Sequence, residues 1–331
     1  MKPVRKVIIE EAEALFEKTT LRAARSRAYG LLRLLSPLSY PLHRNEDIAP
    51  FFVIGSGRCG TTLFRRLIQA QGNTYVPPEN WSLGRCISQF HRYAWCMEWK
   101  DMVDLQVGTL SHRSHHWFDA PPRPLVQRLH DLEKGKRSLA AIIDASYRYH
   151  AELHNRTPER WGDNSPGSVF SAELIAEVFP DSKFIHFLRD GVDVIGSWIN
   201  YSPYKDNLEG SAQKWTWSVR KAREFMDKYP SKAVEVRYEE LVSEPVREMR
   251  RICSFLDHPF APDRLEEDSA IASMDDVVHR DQHAKVRKPI STDSIGKGRR
   301  QLGENQKAII KPMVDDLLQR VGYEPVATDH T

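Results

Sequence analysis

Arg58 and Arg189 stand where the sequence reads most directly as chemistry. Each follows a short apolar run, Phe51–Ile54 or Lys183–Leu188, and each is followed by apolar residues at helical spacing. Around Arg58, the glycines Gly55, Gly57 and Gly60 permit a tight turn in which backbone N–H groups converge. From Thr61 onward, Leu63, Phe64, Leu67 and Ile68 define one buried helical face. Strand, glycine turn and helix in that order aim a helix N-terminus at an anion. Gly55, Gly60 and Thr61 fit the phosphate-loop frame G-x-x-x-x-G-K-[ST], except that Thr61 occupies the lysine position and the cation sits inside the turn as Arg58. The turn therefore suits a phosphate but suits the β/γ-phosphates of a nucleoside triphosphate poorly. The plainer alternative is a strand-to-helix turn with no ligand.

The second strand end carries Arg189-Asp190-Gly191, with Ser197 eight residues beyond the arginine. Two helical turns bring Ser197 back toward the strand end. Guanidinium groups with a hydroxyl between them are a common means of holding phosphate. Two such turns can grip two anionic groups of one ligand, and a nucleotide phosphorylated at both 5′ and 3′ positions fits that requirement.

The elements needed to position these residues follow from hydrophobic periodicity. Phe51–Ile54, Lys183–Leu188 and Ala233–Val236 are of buried-strand type, and Arg160–Asn164 ends a strand or loop. Helices are expected over residues 4–35, from Thr61, over Ser138–His154, from Ser165-Pro166 to Phe179, along Val192–Ile199, over Lys214–Tyr229, from Pro245 and over Asn305–Val321. Strands alternating with helices predict an α/β fold, a P-loop-like parallel sheet flanked by helices on both faces, with ligands at the carboxyl ends of the strands. The expected organisation is an N-terminal helical extension and connector over 1–49, one domain over 50–322 and a tail over 323–331. Within the domain, 71–135 reads as an irregular aromatic-rich insertion, either an acceptor-binding wall or core packing. Residues 266–304 read as a mobile basic flap.

Composition sets the outer limits. A net charge of +3 is too small for general nucleic-acid binding. No apolar run is long enough to span a bilayer and no secretory leader is evident. The basic, leucine-rich stretch of residues 20–40 is compatible with resting on an anionic membrane, though more often such a stretch packs on its own domain. Cys59, Cys86, Cys96 and Cys253 form no C-x-x-C pair, so reduced thiols and a cytoplasmic location are expected. His112, His115 and His116 lie close together without a partner carboxylate or cysteine at ligand spacing, so no metal is expected.

Taken with these motifs, the chain resembles the sulfotransferases that use 3′-phosphoadenosine 5′-phosphosulfate (PAPS), their bacterial and tyrosylprotein branch in particular. Gly57-Arg58-Cys59-Gly60-Thr61-Thr62-Leu63 looks like that family's 5′-phosphosulfate loop, and Phe184–Trp198 looks like its 3′-phosphate motif, with Arg189 and Ser197 as ligands. Tyr238 matches the tyrosine that contacts adenine. Ser294–Arg300 is similar to the nucleotide-covering flap, with Lys297, Gly298 and Arg299 as candidate contacts. The resemblance covers residues 50–322. It implies sulfuryl transfer from PAPS to a hydroxyl, with a glycan or lipid-linked glycan favoured by the aromatic residues of 81–118. Arg58 would stabilise the leaving group without a metal. A base is required, and Glu79 in Pro77-Pro78-Glu79-Asn80 is the first candidate, with Asp163 the second. The chain departs from the family pattern at Asn164, where relatives often carry lysine. Two other readings stay open on the sequence: a P-loop kinase with a degenerate loop, and a nucleotide-binding module without catalysis. Oligomeric state is not legible.

Overall fold

The computed structural model describes residues 40–44, 47–112, 117–118, 120–200, 207–266 and 289–327. Five strands, β1 (Phe51–Gly55), β2 (Thr74–Tyr75), β3 (Arg160–Asp163), β4 (Lys183–Leu188) and β5 (Ala233–Arg237), form one sheet in the order β2-β3-β1-β4-β5. Every pairing is parallel, and β1 lies between β3 and β4 over the registers Phe52↔Asp163 and Phe52↔Phe184. The chain leaves β1 toward β3 and β2, and leaves β4 toward β5. The crevice between β1 and β4, outside their carboxyl ends, is therefore the topological switch point where ligands bind in such sheets.

Helices α1 (Thr61–Ala70), α2 (Leu83–Tyr93), α3 (Trp99–His112), α4 (Arg123–His130), α5 (Leu139–Leu153) and α6 (Ala172–Val178) precede β4. After it come α7 (Gly191–Trp198), α8 (Leu208–Lys228), α9 (Tyr238–Ser243), α10 (Pro245–Phe255), α11 (Lys297–Gln301) and α12 (Glu304–Arg320). Alternation along β1 divides the core between the two sheet faces. Phe52 and Ile54 pack with Phe184 against α2, α3, α5 and α6, while Phe51 and Val53 pack with Ile185 and Phe187 against α1 and α10. All four side chains of β1 are buried, which is why this strand reads as a continuous apolar run; in β4 the apolar run Phe184–Leu188 is broken only by the buried His186. A third cluster joins Leu188 to α7, α8 and α12 through Ile195, Trp215 and Leu318.

The structure alters several expectations. The stretch 71–135 is chiefly three helices, and most of its aromatic residues are core: Phe90, Trp99 and Trp117 are buried, whereas Trp81 is 52% exposed. The helix expected from Ser165-Pro166 begins with a 3₁₀ segment, Pro166–Ser171, before α6. Lys214 lies well inside α8 instead of starting it. The tail is docked as far as Val326, whose N–H donates to Asp315 Oδ1 at 2.8 Å and whose side chain is buried. Residues 40–42 also pack on the domain, with the Pro41 and Leu42 carbonyls accepting from Leu139 and Ala140. The helix expected over 4–35, the membrane-facing stretch up to residue 39, and His115 and His116 lie outside the described residues.

Candidate active site

The glycine turn after β1 uses left-handed backbone at Gly57 (φ 79°), Arg58 (φ 56°) and Gly60 (φ 93°). At Arg58 that conformation is a strain a side-chain-bearing residue rarely accepts outside a functional turn. Gly60 is the N-cap of α1, and no side chain caps the helix, so its first-turn N–H groups keep their anion-binding capacity. A Cβ on Gly60 would overlap the Tyr238 ring, and one on Gly57 would come within 2.9 Å of the Trp198 ring. The Cys59 thiol is buried beneath the turn and pushed up to about 11 by that burial, so it stays protonated and only its backbone faces outward.

The two arginines converge. Arg58 Nε donates to Ser197 Oγ at 3.0 Å, and Arg189 Nη1 donates to the Arg58 carbonyl at 3.2 Å. The Arg189 guanidinium lies 4.3 Å from the centre of the Tyr238 ring, and its Nη2 donates to Asp193 Oδ2 and to the Ser294 carbonyl. Its Nε is buried and has no partner, so a donor remains unsatisfied at the strand end. A bound phosphate oxygen is the kind of acceptor such a group needs. Backbone contacts fix the arginine from behind: Trp215 Nε1 donates to the Arg189 carbonyl and Asp190 N donates to Glu239 Oε1.

The described end of the basic flap, residues 289–304, packs on α7 through the segment around Gly298. Asp193 Oδ2 accepts from Gly296 N at 2.8 Å and Oδ1 accepts from Gly298 N at 2.7 Å. Gly298 packs against the backbone of Val192 and Asp193, where no Cβ fits. Arg299 donates to Asp190 Oδ2 at 2.6 Å and to the carbonyls of Glu324 and Pro325. Gly298 N–H and the Arg299 guanidinium thus serve the protein, in anchoring the segment, while Lys297 is exposed at the start of α11. Asp190 and Asp193, which hold this segment, were not distinguished in the sequence. Their place within two helical turns of Arg189 was the available signal.

Glu79 lies on a pinned loop. Asn80 N donates to Ser165 Oγ at 2.8 Å, Ser82 N donates to Asn80 Oδ1, and Trp117 Nε1 donates to the Pro78 carbonyl. Asp163 is fully buried and accepts from Tyr147 Oη (2.7 Å), Ser165 Oγ (3.0 Å) and Ser165 N (3.1 Å). Burial pushes its carboxyl up to about 6 against the pull of these donors. Through Ser165 it supports the Glu79 loop, which is a positioning arrangement, with its oxygens turned to protein donors. Asn164 is buried beside it with Oδ1 unpartnered.

Sequence reasoning passed over Lys214. From α8 its Nζ reaches to 4.1 Å from the centre of the Trp198 ring and 5.6 Å from that of Trp81. The Glu79 carboxylate acts on its charge. No spacing signal in 214–229 distinguishes this lysine from its solvated neighbours, because its surroundings come from distant chain segments.

Comparison with known proteins bears on this arrangement of turns and strand ends. The sulfotransferase family profile matches residues 50–262. This chain belongs to the sulfotransferase family and is a PAPS-dependent sulfotransferase. It is 24% identical over 318 residues to protein-tyrosine sulfotransferase 1 of Danio rerio, spanning 91% of this chain and 80% of that protein. It is also 24% identical over 253 residues to the omega-hydroxy-beta-dihydromenaquinone-9 sulfotransferase of Mycobacterium tuberculosis, over 62% of each chain. Among solved structures, the sulfotransferase domain of the Synechococcus PCC 7002 olefin synthase matches with a TM-score of 0.50 at 19% identity, covering 79% of this chain and 92% of that domain. The sulfotransferase domain of the curacin biosynthetic pathway matches with a TM-score of 0.50 at 18% identity, covering 84% of this chain and 99% of that domain. These structures share the fold.

Proposed function

We propose that the chain moves a sulfuryl group from PAPS to an acceptor hydroxyl by in-line displacement, and that the β1–β4 crevice holds the donor. The convergence of Arg58, Ser197 and Arg189 at the ends of adjacent parallel strands carries this reading. Arg58, Thr61, Thr62 and the N–H groups of Gly57–Thr62 cradle the 5′-phosphosulfate, and Arg189 with Ser197 takes the 3′-phosphate. Tyr238 borders the adenine, and Lys297 lies on the segment that closes over the nucleotide. Positioning and charge stabilisation are the main work in such transfers. Glu79 takes the acceptor proton, and Asp163 positions its loop through Ser165 and Asn80.

The acceptor is read from what remains exposed beside Glu79. The rings that favoured a glycan on sequence are mostly core; Trp81, two residues from Glu79 in the chain, and Trp95 are the exposed ones. The printed substrates of the two relatives, a protein tyrosine and a hydroxylated menaquinone, share an oxygen nucleophile on an apolar body. We carry that chemistry to this chain: a phenol or a hydroxylated lipid, ahead of a carbohydrate. Among the described residues no helix is long and apolar enough to cross a membrane. The four free thiols support a cytoplasmic setting. Incubation with sulfur-labelled PAPS and three acceptors, a tyrosine peptide, a long-chain alcohol and an oligosaccharide, tests the reading. Label on the peptide or the alcohol is expected. Label on the oligosaccharide alone would contradict the acceptor class, and magnesium-dependent phosphoryl transfer from ATP in place of sulfuryl transfer would contradict the reaction.

A further inference from the structure

Gly322 ends α12 in left-handed backbone (φ 78°), and the amides of Gly322 and Tyr323 donate back to the Gln319 and Leu318 carbonyls at 3.0 and 2.8 Å. Such an ending favours glycine at that position and turns the following residues back along the domain. They arrive beside Arg189. Tyr323 Oη donates to Glu239 Oε2 at 2.8 Å, and Glu239 Oε1 accepts from Asp190 N at 3.0 Å. Asp190 directly follows Arg189 and caps α7, its Oδ1 accepting from Val192 N at 2.8 Å. Its Oδ2 accepts from Arg299 Nε, and the same guanidinium donates to the carbonyls of Glu324 and Pro325. Two routes therefore run from residues 323–325 to the one residue that follows the 3′-phosphate arginine.

The segment is itself held at both ends. The Arg237 guanidinium lies 5.0 Å from the centre of the Tyr323 ring and donates to the Val321 carbonyl. Beyond it, Val326 N donates to Asp315 Oδ1 and the Val326 carbonyl accepts from Lys311 Nζ. Burial and the adjacent Glu239 carboxylate push the Tyr323 phenol up, so its hydroxyl remains a donor. A buried carboxylate shared between a phenol and a backbone amide ties the place of one to the place of the other, because losing either donor leaves a buried acceptor unsatisfied.

We propose that Tyr323 is a positioning residue for the donor site: through Glu239 it fixes the Asp190 amide, and so aims Arg189 at the 3′-phosphate. This rests on the reading above in which Arg189 takes that phosphate. Tyr323 touches neither donor nor acceptor, and no proton or group moves through it. Its effect is on selectivity for a nucleotide carrying the 3′-phosphate, and the 5′-phosphate cradle at the glycine turn is left as it was.

Calorimetry without magnesium tests this on wild type, Tyr323→Phe, Glu239→Ala and the double variant, each with adenosine 3′,5′-bisphosphate and adenosine 5′-phosphate. Tyr323→Phe removes one hydroxyl and is expected to weaken bisphosphate binding by about fivefold or more, with 5′-phosphate affinity within about twofold of wild type. The double variant is expected to lose no more selectivity than Glu239→Ala alone, because the hydroxyl acts through that carboxylate. Selectivity in Tyr323→Phe within about twofold of wild type would overturn the proposal, as would losses that add in the double variant. Equal weakening of both nucleotides together with a lower Tm would make the hydroxyl a general stabiliser, and overturn it equally. Hydrogen exchange supplies a readout independent of affinity. The Asp190 amide is expected to exchange about fivefold faster or more in Tyr323→Phe, with the amides of β1 unchanged. Unaltered exchange at Asp190 would contradict the coupling, and neither measurement on Tyr323→Phe needs Glu239→Ala to fold. If wild type shows no preference for the bisphosphate, the assignment of Arg189 to the 3′-phosphate fails instead, and exchange at Asp190 still decides whether Tyr323 holds that amide.

Discussion

Glu79 and Asp163 are both carboxylates near one strand end, and their surroundings assign them different work. Asp163 has its oxygens occupied by Tyr147 and Ser165, while the Glu79 carboxylate acts on the charge of Lys214. Glu79→Gln is accordingly expected to lower kcat by about 10²–10⁴-fold while bisphosphate binding by calorimetry is unchanged. Asp163 instead leaves its mark on stability. Its carboxyl is raised to about 6, so its favourable contribution is present below the ordinary carboxylate value and is lost as pH rises through about 6. Compared with Asp163→Asn in urea unfolding, wild type should therefore lose ~3 kcal/mol between pH 4 and pH 7. A difference that is flat over that range would contradict the assignment. Tyr147→Phe removes one of the donors to the buried acid and should cost about 1–3 kcal/mol at pH 7.5 in the same measurement.

Among elements, the glycine turn and the docked segment around Gly298 carry the geometry. Gly60→Ala forces a side chain into the Tyr238 ring on left-handed backbone. It should weaken bisphosphate binding by about tenfold or more, a cost of order 1–3 kcal/mol. Gly298→Ala pushes α11 off α7, and proteolysis near residues 294–301 should then quicken relative to wild type. The elements that position the donor were legible because their physics is local. Phe51–Ile54 is an uninterrupted apolar run and Phe184–Leu188 is broken only by the buried His186; Arg189 follows the second run directly, and Arg58 follows the first across Gly55-Ser56-Gly57. The insertion was less legible. Met102, Val103, Gln106, Val107 and Leu110 do recur at helical spacing in α3, but the dense aromatics and prolines around them obscured the period. Strand β2 is only two residues, too short to leave a pattern. Lys214 and the anchoring role of Arg299 depend on partners far along the chain, and no local spacing encodes those.

Across the whole molecule, the sheet order places one crevice at the carboxyl ends of β1 and β4, and three hydrophobic clusters brace it from both faces and from the α7–α8–α12 side. A ligand that bridges the two strand ends binds only the folded chain. Adenosine 3′,5′-bisphosphate at a hundred times its Kd should therefore stabilise the protein by about 2.7 kcal/mol, visible as a rise in Tm. The central claim is that Arg58 and Arg189 grip opposite ends of one doubly charged adenosine nucleotide. Titration calorimetry without magnesium tests it most directly, comparing adenosine 3′,5′-bisphosphate with adenosine 5′-phosphate on wild type and Arg189→Ala. The account predicts that wild type binds the bisphosphate at least about tenfold more tightly, and that Arg189→Ala abolishes the preference. Equal affinity for the two nucleotides in wild type, or a preference that survives Arg189→Ala, would contradict it.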